Sequence, residues 1–153
     1  MVNASTQPRA IWMATLAKAN LSQLETQVAK LGTLPDYHFL RSPEIGLAMV
    51  RGRAEGTDEP FNLGEMTITR CVVQLALGDA LISGFGYVAG RSHRHAELAA
   101  LCDALLQHPD WQSQIQSQVI DPLQQAAQAE RATQAAEVES TRVNFFTMLR
   151  GEG

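Results

Sequence analysis

Basic and titratable side chains cluster in one stretch of the sequence, residues 90–97, where a strand-like run gives way to a helical pattern. A helix N-terminus offers free backbone N–H donors and a partial positive charge, so basic side chains placed there are suited to hold a phosphate or phosphonate. The candidate anion-binding residues of this stretch are Arg91, Arg94, His95 and Glu97. The alternative is that Ser92 caps the helix while the arginines stay solvated or pair with acidic neighbours.

Arg70 is a further candidate for anion contact. In the stretch Thr67-Ile-Thr69-Arg70-Cys71 the alternation of a strand places the two threonines on one face and Arg70 on the other, beside apolar neighbours. A charge flanked by apolar residues must reach solvent or a carboxylate, because burying it alone is costly. A salt bridge or an interface contact is therefore the competing interpretation.

Several kinds of chemistry are not supported by the spacing of residues. His95 and Glu97 are two positions apart, hence on different helix faces, and cannot form a metal pair on that helix. The glycines of Gly84-Phe-Gly86-Tyr-Val-Ala-Gly90 miss the dinucleotide-binding spacing by one residue. There is no phosphate-binding loop, no nucleophile elbow and no CxxC pair. We therefore predict no catalytic residue and no metal site on this chain.

Composition excludes other classes of function. The 153 residues carry a net charge of −4, so no overall positive field favours nucleic acid or an anionic membrane. The first residues lack the pattern of a secretory signal, and no apolar run approaches the length of a membrane span. The expectation is a cytoplasmic protein that binds neither nucleic acid nor a membrane.

Helical periodicity opens the chain. Apolar residues recur at three- and four-residue spacings between Thr6 and Gly32, and Asn20-Leu-Ser22 interrupts them, so we predict two short helices. Ser22-Gln-Leu-Glu25 is a capping box that would start the second helix. Gly32 suits the left-handed residue at its end.

The period then changes to that of strands. Four strands are predicted, at residues 37–41, 45–53, 66–77 and 81–89, separated by Ser-Pro, Gly-Thr and Gly-Asp. Gly78-Asp79 suits a type II′ turn, which makes the last pair antiparallel. The segment 54–65 is predicted to be a polar loop containing Phe61 and Leu63, of a length that often marks a contact surface.

The rest of the chain is predicted to be helical. A helix from Ser92 to about His108 carries an apolar stripe that can cover one sheet face, and a long Gln/Ala-rich helix follows. The fold class is thus α+β, with residues 1–109 as the domain and 110–153 as its helical extension. Apolar residues return at the end of the chain, and they are expected to bind a partner chain or a second copy, or else to complete the domain's own core: Phe145, Phe146, Met148 and Leu149.

Taken together, several short motifs resemble the PhnG family of the bacterial carbon–phosphorus lyase core complex. They are Gly64-Glu-Met-Thr-Ile-Thr-Arg70, Gly86-Tyr-Val-Ala-Gly-Arg91, His95-Ala-Glu97, Asp103-Ala-Leu-Leu106 and Arg142-Val-Asn-Phe-Phe-Thr-Met-Leu-Arg-Gly151, with Trp12-Met13 and Asp36-Tyr37 before them. The resemblance spans nearly the whole chain in the same order. Asn144 stands where the family pattern has aspartate, which argues against an acid–base role there.

The resemblance implies a small accessory or assembly subunit that acts with PhnI-, PhnH- and PhnJ-type partners. In that system adenine at the ribose of ATP is replaced by a phosphonate, giving ribose 1-phosphonate 5-triphosphate, and the family implies that PhnI holds this chemistry. It also implies no cofactor on this chain, ATP as a substrate of the complex, and an iron–sulfur cluster on PhnJ. The alternative function is a small-anion- or nucleotide-binding catalytic domain that uses residues 91–97.

Overall fold

The computed structural model describes residues Arg9 to Val143, and two short helices open this part of the chain. They are α1 (Arg9–Lys18) and α2 (Leu21–Ala29), as the periodicity predicts. The cap of α2 differs from the prediction: Asn20, not Ser22, is the N-cap, and its side chain accepts from the Ser22 backbone N–H at 3.0 Å. Gly32, with φ of 76°, follows the helix in the left-handed conformation that its position predicts.

An antiparallel sheet of three strands follows, in the order β1 (Tyr37–Arg53), β2 (Pro60–Leu77) and β3 (Ala80–Ala89). The turn between β2 and β3 has positive φ at Gly78 but not at Asp79, which agrees with the predicted type II′ turn. In β2 the residues Thr69, Cys71, Val73 and Leu75 are buried in alternation, so one face of the sheet carries the core.

The prediction of four strands is wrong, because the first two predicted strands are one. Ser42-Pro43 was expected to end a strand, yet the pairing of β1 with β2 resumes at Glu44 after a register shift from Arg41. Proline has no N–H to donate, but β1 is an edge strand, where a bulge leaves such a residue unpaired at little cost. The Ser-Pro pair therefore bends the strand without ending it.

The predicted polar loop at 54–65 is also wrong. Only residues 54–59 form the connection, and β2 begins at Pro60, so Phe61 and Leu63 lie in a strand. The turn is closed by hydrogen bonds between Ala54 and Glu59 and between Asp58 and Ala54, each 3.0 Å. Residues 54–65 are rich in polar side chains because this end of the hairpin is exposed on both faces, and not because its backbone is irregular.

The covering helix α3 (His93–Leu106) packs on the inner face of the sheet, as predicted, and most of its residues are buried. The approach is close because glycines of β3 face alanines of α3. A Cβ added to Gly86 would lie 2.0 Å from the Ala96 carbonyl oxygen, and one added to Gly84 would lie 2.0 Å from that of Ala100. Helix and strand thus meet through their backbones.

The last part of the described chain is one helical rod with an irregular turn in it. It consists of α4 (Pro109–Ile115), a π-helical turn (Gln116–Ile120) and α5 (Asp121–Ser140). Ile115, Val119, Ile120 and Leu123 are buried, because α4 contacts α3 while the π-helical turn and α5 contact the N-terminal helices. Residues 128–140 are exposed throughout. The Gln/Ala-rich half is therefore not a core helix, as its composition predicts. The expected apolar segment Phe145–Leu149 lies outside the described residues.

No helix between Arg9 and Val143 is both long and apolar enough to cross a membrane.

The glycine–alanine contact between β3 and α3 gives a direct test of the packing. Gly86→Ala places a methyl group inside the van der Waals radius of a helix carbonyl, so helix and sheet must separate. We expect it to lower the free energy of unfolding by more than about 2 kcal/mol. Urea denaturation followed by circular dichroism measures the change.

The matched control is Gly64→Ala, also in a strand, where an added Cβ meets no atom within 4 Å. Its free energy of unfolding should stay within about 0.5 kcal/mol of the parent. Equal urea midpoints for the two variants would contradict the close approach.

Candidate functional site

The N-terminus of α3 is closed by its own neighbours. Ser92 is the N-cap, and its side chain accepts from the His95 backbone N–H at 3.3 Å. The Ser92 backbone N–H in turn donates to the Thr69 hydroxyl, which donates to the Gly90 carbonyl at 2.7 Å. These bonds agree with the capping interpretation of the stretch 90–97, and they tie the start of the helix to β2.

His95 holds two helices together. Its side chain is buried, and Nε2 lies 2.7 Å from the Leu16 carbonyl oxygen near the end of α1. A carbonyl oxygen can only accept, so Nε2 carries the proton and donates it. The imidazole therefore bridges α3 and α1 and does not face solvent, where an anion would meet it.

Glu97 and Arg94 belong to a polar network at the start of the sheet. The Tyr37 hydroxyl donates to Glu97, and Arg94 lies 3.2 Å from the same carboxylate and 3.7 Å from Glu25. Burial, reinforced by the hydrogen bond to Glu97, raises the pKa of Tyr37 from 10.0 to about 12. The network joins β1, α2 and α3. Within it the Arg94 guanidinium is paired with carboxylates of the same chain.

The remaining candidates lie apart from this network. Arg70 occupies the sheet face opposite α3 and donates from Nε to Glu44 at 2.6 Å, in agreement with the salt-bridge interpretation. Arg91 is exposed and forms no ion pair with any residue between 9 and 143. The structure therefore does not bring the five predicted anion-binding residues together. Arg70 lies on the sheet face opposite α3, and His95 is buried against α1.

Asp103 is a buried polar residue that was not among the predicted site residues. Its carboxylate is fully buried and accepts four hydrogen bonds, from Arg9 Nε at 3.0 Å, Arg9 Nη2 at 2.6 Å, Trp12 Nε1 at 2.8 Å and the Phe85 backbone N–H at 3.0 Å. Hydrogen bonding to the Asp103 carboxylate raises the pKa of the Arg9 guanidinium. An aspartate inside the apolar run of α3 was the available signal, since a carboxylate is almost never buried without partners.

The two cysteine thiols are buried. Burial raises the pKa of the Cys71 thiol to about 11 and that of Cys102 to about 12, so neither is a thiolate near neutral pH. No group of three metal-ligating side chains occurs among residues 9–143. A cavity of about 230 Å³ between α1 and β3 is lined by Met13, Leu16, Phe85, Tyr87 and small residues, none of them charged.

The Tyr37–Glu97 hydrogen bond makes a prediction about pH. In a Tyr87→Phe variant, which leaves Tyr37 as the only tyrosine, we expect the phenol to ionise near pH 12. A folded pKa above the unfolded value means that the neutral phenol stabilises the fold below pH 10, and that this stabilisation is lost as the pH rises towards 12. Tyrosinate absorbance measures the midpoint.

Adding Glu97→Gln to that variant should lower the midpoint while leaving it above 10.0, because burial contributes more to the shift than the hydrogen bond does. The network would be contradicted by a midpoint near 10 in the Tyr87→Phe variant itself, or by a midpoint that Glu97→Gln leaves unchanged, in protein with native circular dichroism.

Comparison with known proteins identifies the family of this chain. Residues 7–151 match the family described as "Phosphonate metabolism protein PhnG". The chain is also 38% identical over 140 residues to "Alpha-D-ribose 1-methylphosphonate 5-triphosphate synthase subunit PhnG" of Rhizobium meliloti (strain 1021), covering 92% of this chain and 87% of that protein. The described motif residues Trp12, Tyr37, Arg70, Glu97 and Asp103 all make side-chain hydrogen bonds within the chain, and those of all but Arg70 join a helix to another helix or to the sheet. This chain therefore belongs to the PhnG family of phosphonate metabolism proteins.

Proposed function

We propose that this chain is a noncatalytic assembly subunit of an α-D-ribose 1-methylphosphonate 5-triphosphate synthase that acts in phosphonate degradation. The observation that carries the proposal is the 38% identity to a protein named as a subunit of that synthase, sustained over 92% of this chain. Similarity of that extent includes both the body of the fold and its peripheral segments. This similarity supports the proposal that the chain is part of an assembly that catalyses the same reaction.

The chemistry of the reaction supports an assembly role over a catalytic one. A phosphonate oxygen bonds to the ribose C1′ of ATP, the glycosidic C–N bond breaks, and adenine leaves with the electron pair and takes up a proton. Such a site needs cations for the triphosphate and an acid for the leaving base. Around the N-terminus of α3, however, Arg94 pairs with Glu97 and Glu25, and His95 donates to a backbone carbonyl.

The partners in the proposal are PhnI-, PhnH- and PhnJ-type subunits. Nucleotide chemistry is assigned to a PhnI-type partner, and an iron–sulfur cluster to a PhnJ-type partner. This chain itself is proposed to need no cofactor, and its location is proposed to be the cytoplasm. Self-association through the segment Phe145–Leu149 stays a prediction that its deletion would test.

The proposal predicts that the isolated chain releases no adenine from a mixture of ATP and methylphosphonate. Co-expression with the other synthase subunits of the same genome should yield a complex that contains this chain and releases adenine. The control preparation lacks only this chain, and it should lose the activity or fail to assemble. Adenine release is followed by chromatography, and turnover by the isolated chain that survives further purification would favour the catalytic alternative.

A second prediction tests the anion-binding alternative on the assembled complex. Arg91→Ala combined with Arg94→Ala removes two exposed side chains, of which only Arg94 forms ion pairs with residues 9–143, and ion pairs at so exposed a position contribute little to folding. We expect the Kd for ATP, measured by calorimetry, to stay within about twofold of the parent, and the melting temperature to be nearly unchanged. A loss of measurable ATP binding with an unchanged melting temperature would instead place an anion site at the N-terminus of α3.

A further inference from the structure

The β1–β2 hairpin extends beyond the rest of the sheet. The last residue pair that joins β2 to β3 is Ile68 with Ala89, whereas β1 and β2 stay paired as far as Arg53 and Pro60. Residues 47–53 and 60–67, with the turn 54–59, thus form a two-stranded arm about 23 Å long. We call this segment the hairpin arm.

Apolar side chains continue along the arm from the core face of the sheet. Ile45 pairs with the buried Thr69, and Leu47 and Met49 follow on the same face at a spacing of two. Leu47 is 63% exposed and Met49 is 51% exposed. The core face of the sheet is thus covered by α3 in the body of the protein, but the same face is exposed along the hairpin arm.

A bulge adds a further apolar residue to the arm. Val50 pairs with Gly64 and Arg51 with Asn62, so Leu63 between them has no cross-strand partner, and it is 68% exposed. An exposed apolar surface of this kind, on an edge that also offers unpaired backbone groups, is what natural proteins avoid unless another chain covers it.

Local contacts hold the far end of the arm in one shape. The Phe61 ring lies over its cross-strand neighbour Gly52, where an added Cβ would be 2.9 Å from Cζ. Arg53 forms an ion pair with Asp58 at 3.0 Å across the turn and donates to the Asp58 carbonyl. The arm is therefore organised before any partner arrives, which lowers the entropic cost of binding.

The turn at the tip of the arm, residues 54–59, carries three acidic side chains, which Arg51 and Arg53 on the adjoining strand offset only in part. Asp58 is balanced by Arg53, but Glu55 and Glu59 are exposed and make no ion pair with any residue from 9 to 143. The occupant of the arm must therefore combine an apolar surface along the strands with positive charge at the tip.

Resting on the proposed function, we infer that the hairpin arm inserts into an apolar groove of another subunit of the synthase, with basic side chains of that subunit at the acidic tip. A groove suits the arm because both of its faces and its edges then lose solvent, which brings the buried area towards the roughly 800 Å² per partner of a stable interface. A second copy of this chain is a poorer match, because the whole chain has a net charge of −4.

The test uses co-expression of the full chain with the other synthase subunits of the same genome, followed by purification through a tag on one of them. Leu47→Ser with Leu63→Ser should lower the amount of this chain that co-purifies by about tenfold or more, as expected when two anchors of an interface are removed. The matched control is Leu81→Ser, which is 69% exposed in β3 near the opposite end of the sheet and should co-purify as the parent does.

A second variant tests the acidic tip and leaves the apolar side chains of the hairpin arm unchanged. Glu55→Lys with Glu59→Lys should weaken association, with a slower association rate at low salt. Its control, Asp36→Lys with Asp79→Lys, makes the same change in net charge at exposed positions on the other end of the sheet, and it should associate as the parent does. Circular dichroism and melting temperatures of the isolated chains confirm that each variant folds.

The outcomes separate this inference from the proposed function. If the parent chain does not co-purify with the synthase subunits, the proposed function fails and the inference fails with it. If the parent and both arm variants co-purify equally, the inference alone is overturned. A lone parent chain that sediments as a dimer, and that the leucine variant converts to a monomer, would overturn it in favour of a second copy.

One further outcome would overturn the inference in favour of this chain's own terminus. The amides of the arm are followed by hydrogen exchange in the isolated chain, with and without residues 144–153. Protection that disappears on this deletion would show that the terminus covers the arm.

Discussion

The close approach of α3 to β3 is the constraint on which the other contacts of this protein depend. Alanines 96, 100 and 104 form one side of the helix, and Gly84 and Gly86 face them, so the two backbones approach with no side chain larger than an alanine methyl between them. Only at this separation does the Asp103 carboxylate reach the Phe85 N–H at 3.0 Å, on the free edge of β3. The same carboxylate binds Arg9 and Trp12 and so fixes α1 against the sheet. A buried carboxylate costs free energy unless donors surround it, and here four hydrogen bonds do.

The buried polar side chains Thr69, His95 and Asp103 and the half-buried Glu97 follow one pattern, in which each joins elements that are distant in sequence. His95 joins α3 to α1, Glu97 joins α3 to β1, and Thr69 joins β2 to the N-terminus of α3. Side chains engaged in this way have their donors and carboxylates satisfied within the chain. A motif of such residues therefore marks a shared fold, and the same residue types that suggest anion chemistry in sequence serve here to position helices.

Beyond the packed body, two segments extend with few contacts: the hairpin arm and the exposed half of α5. They differ in surface chemistry, since the arm presents leucine and methionine whereas residues 128–140 present mostly alanine, glutamine and charged side chains. An apolar arm that is already ordered suits insertion into a partner. A polar helix that leaves the body suits a connection across solvent. Both features fit a subunit that is shaped for an assembly.

The sequence by itself determined the α+β class, the two N-terminal helices, the Gly78 turn and the absence of a core face on the Gln/Ala-rich helix, because each follows from the types and spacing of residues close together in the chain. The Ser92 cap was one of two interpretations of residues 90–97, and the structure decided for it. Its resemblance to the PhnG family is confirmed by the family match and by the synthase subunit of Rhizobium meliloti. The tertiary structure alone decided that Ser42-Pro43 bends a strand at a sheet edge, that Phe61 and Leu63 belong to a hairpin, and that Arg70 lies on the face opposite His95. It alone brought Arg9, Trp12 and Phe85 to Asp103. The reason is that strand pairing and hydrogen bonds between elements join residues up to 109 positions apart, and no local pattern records which partner a given donor will meet.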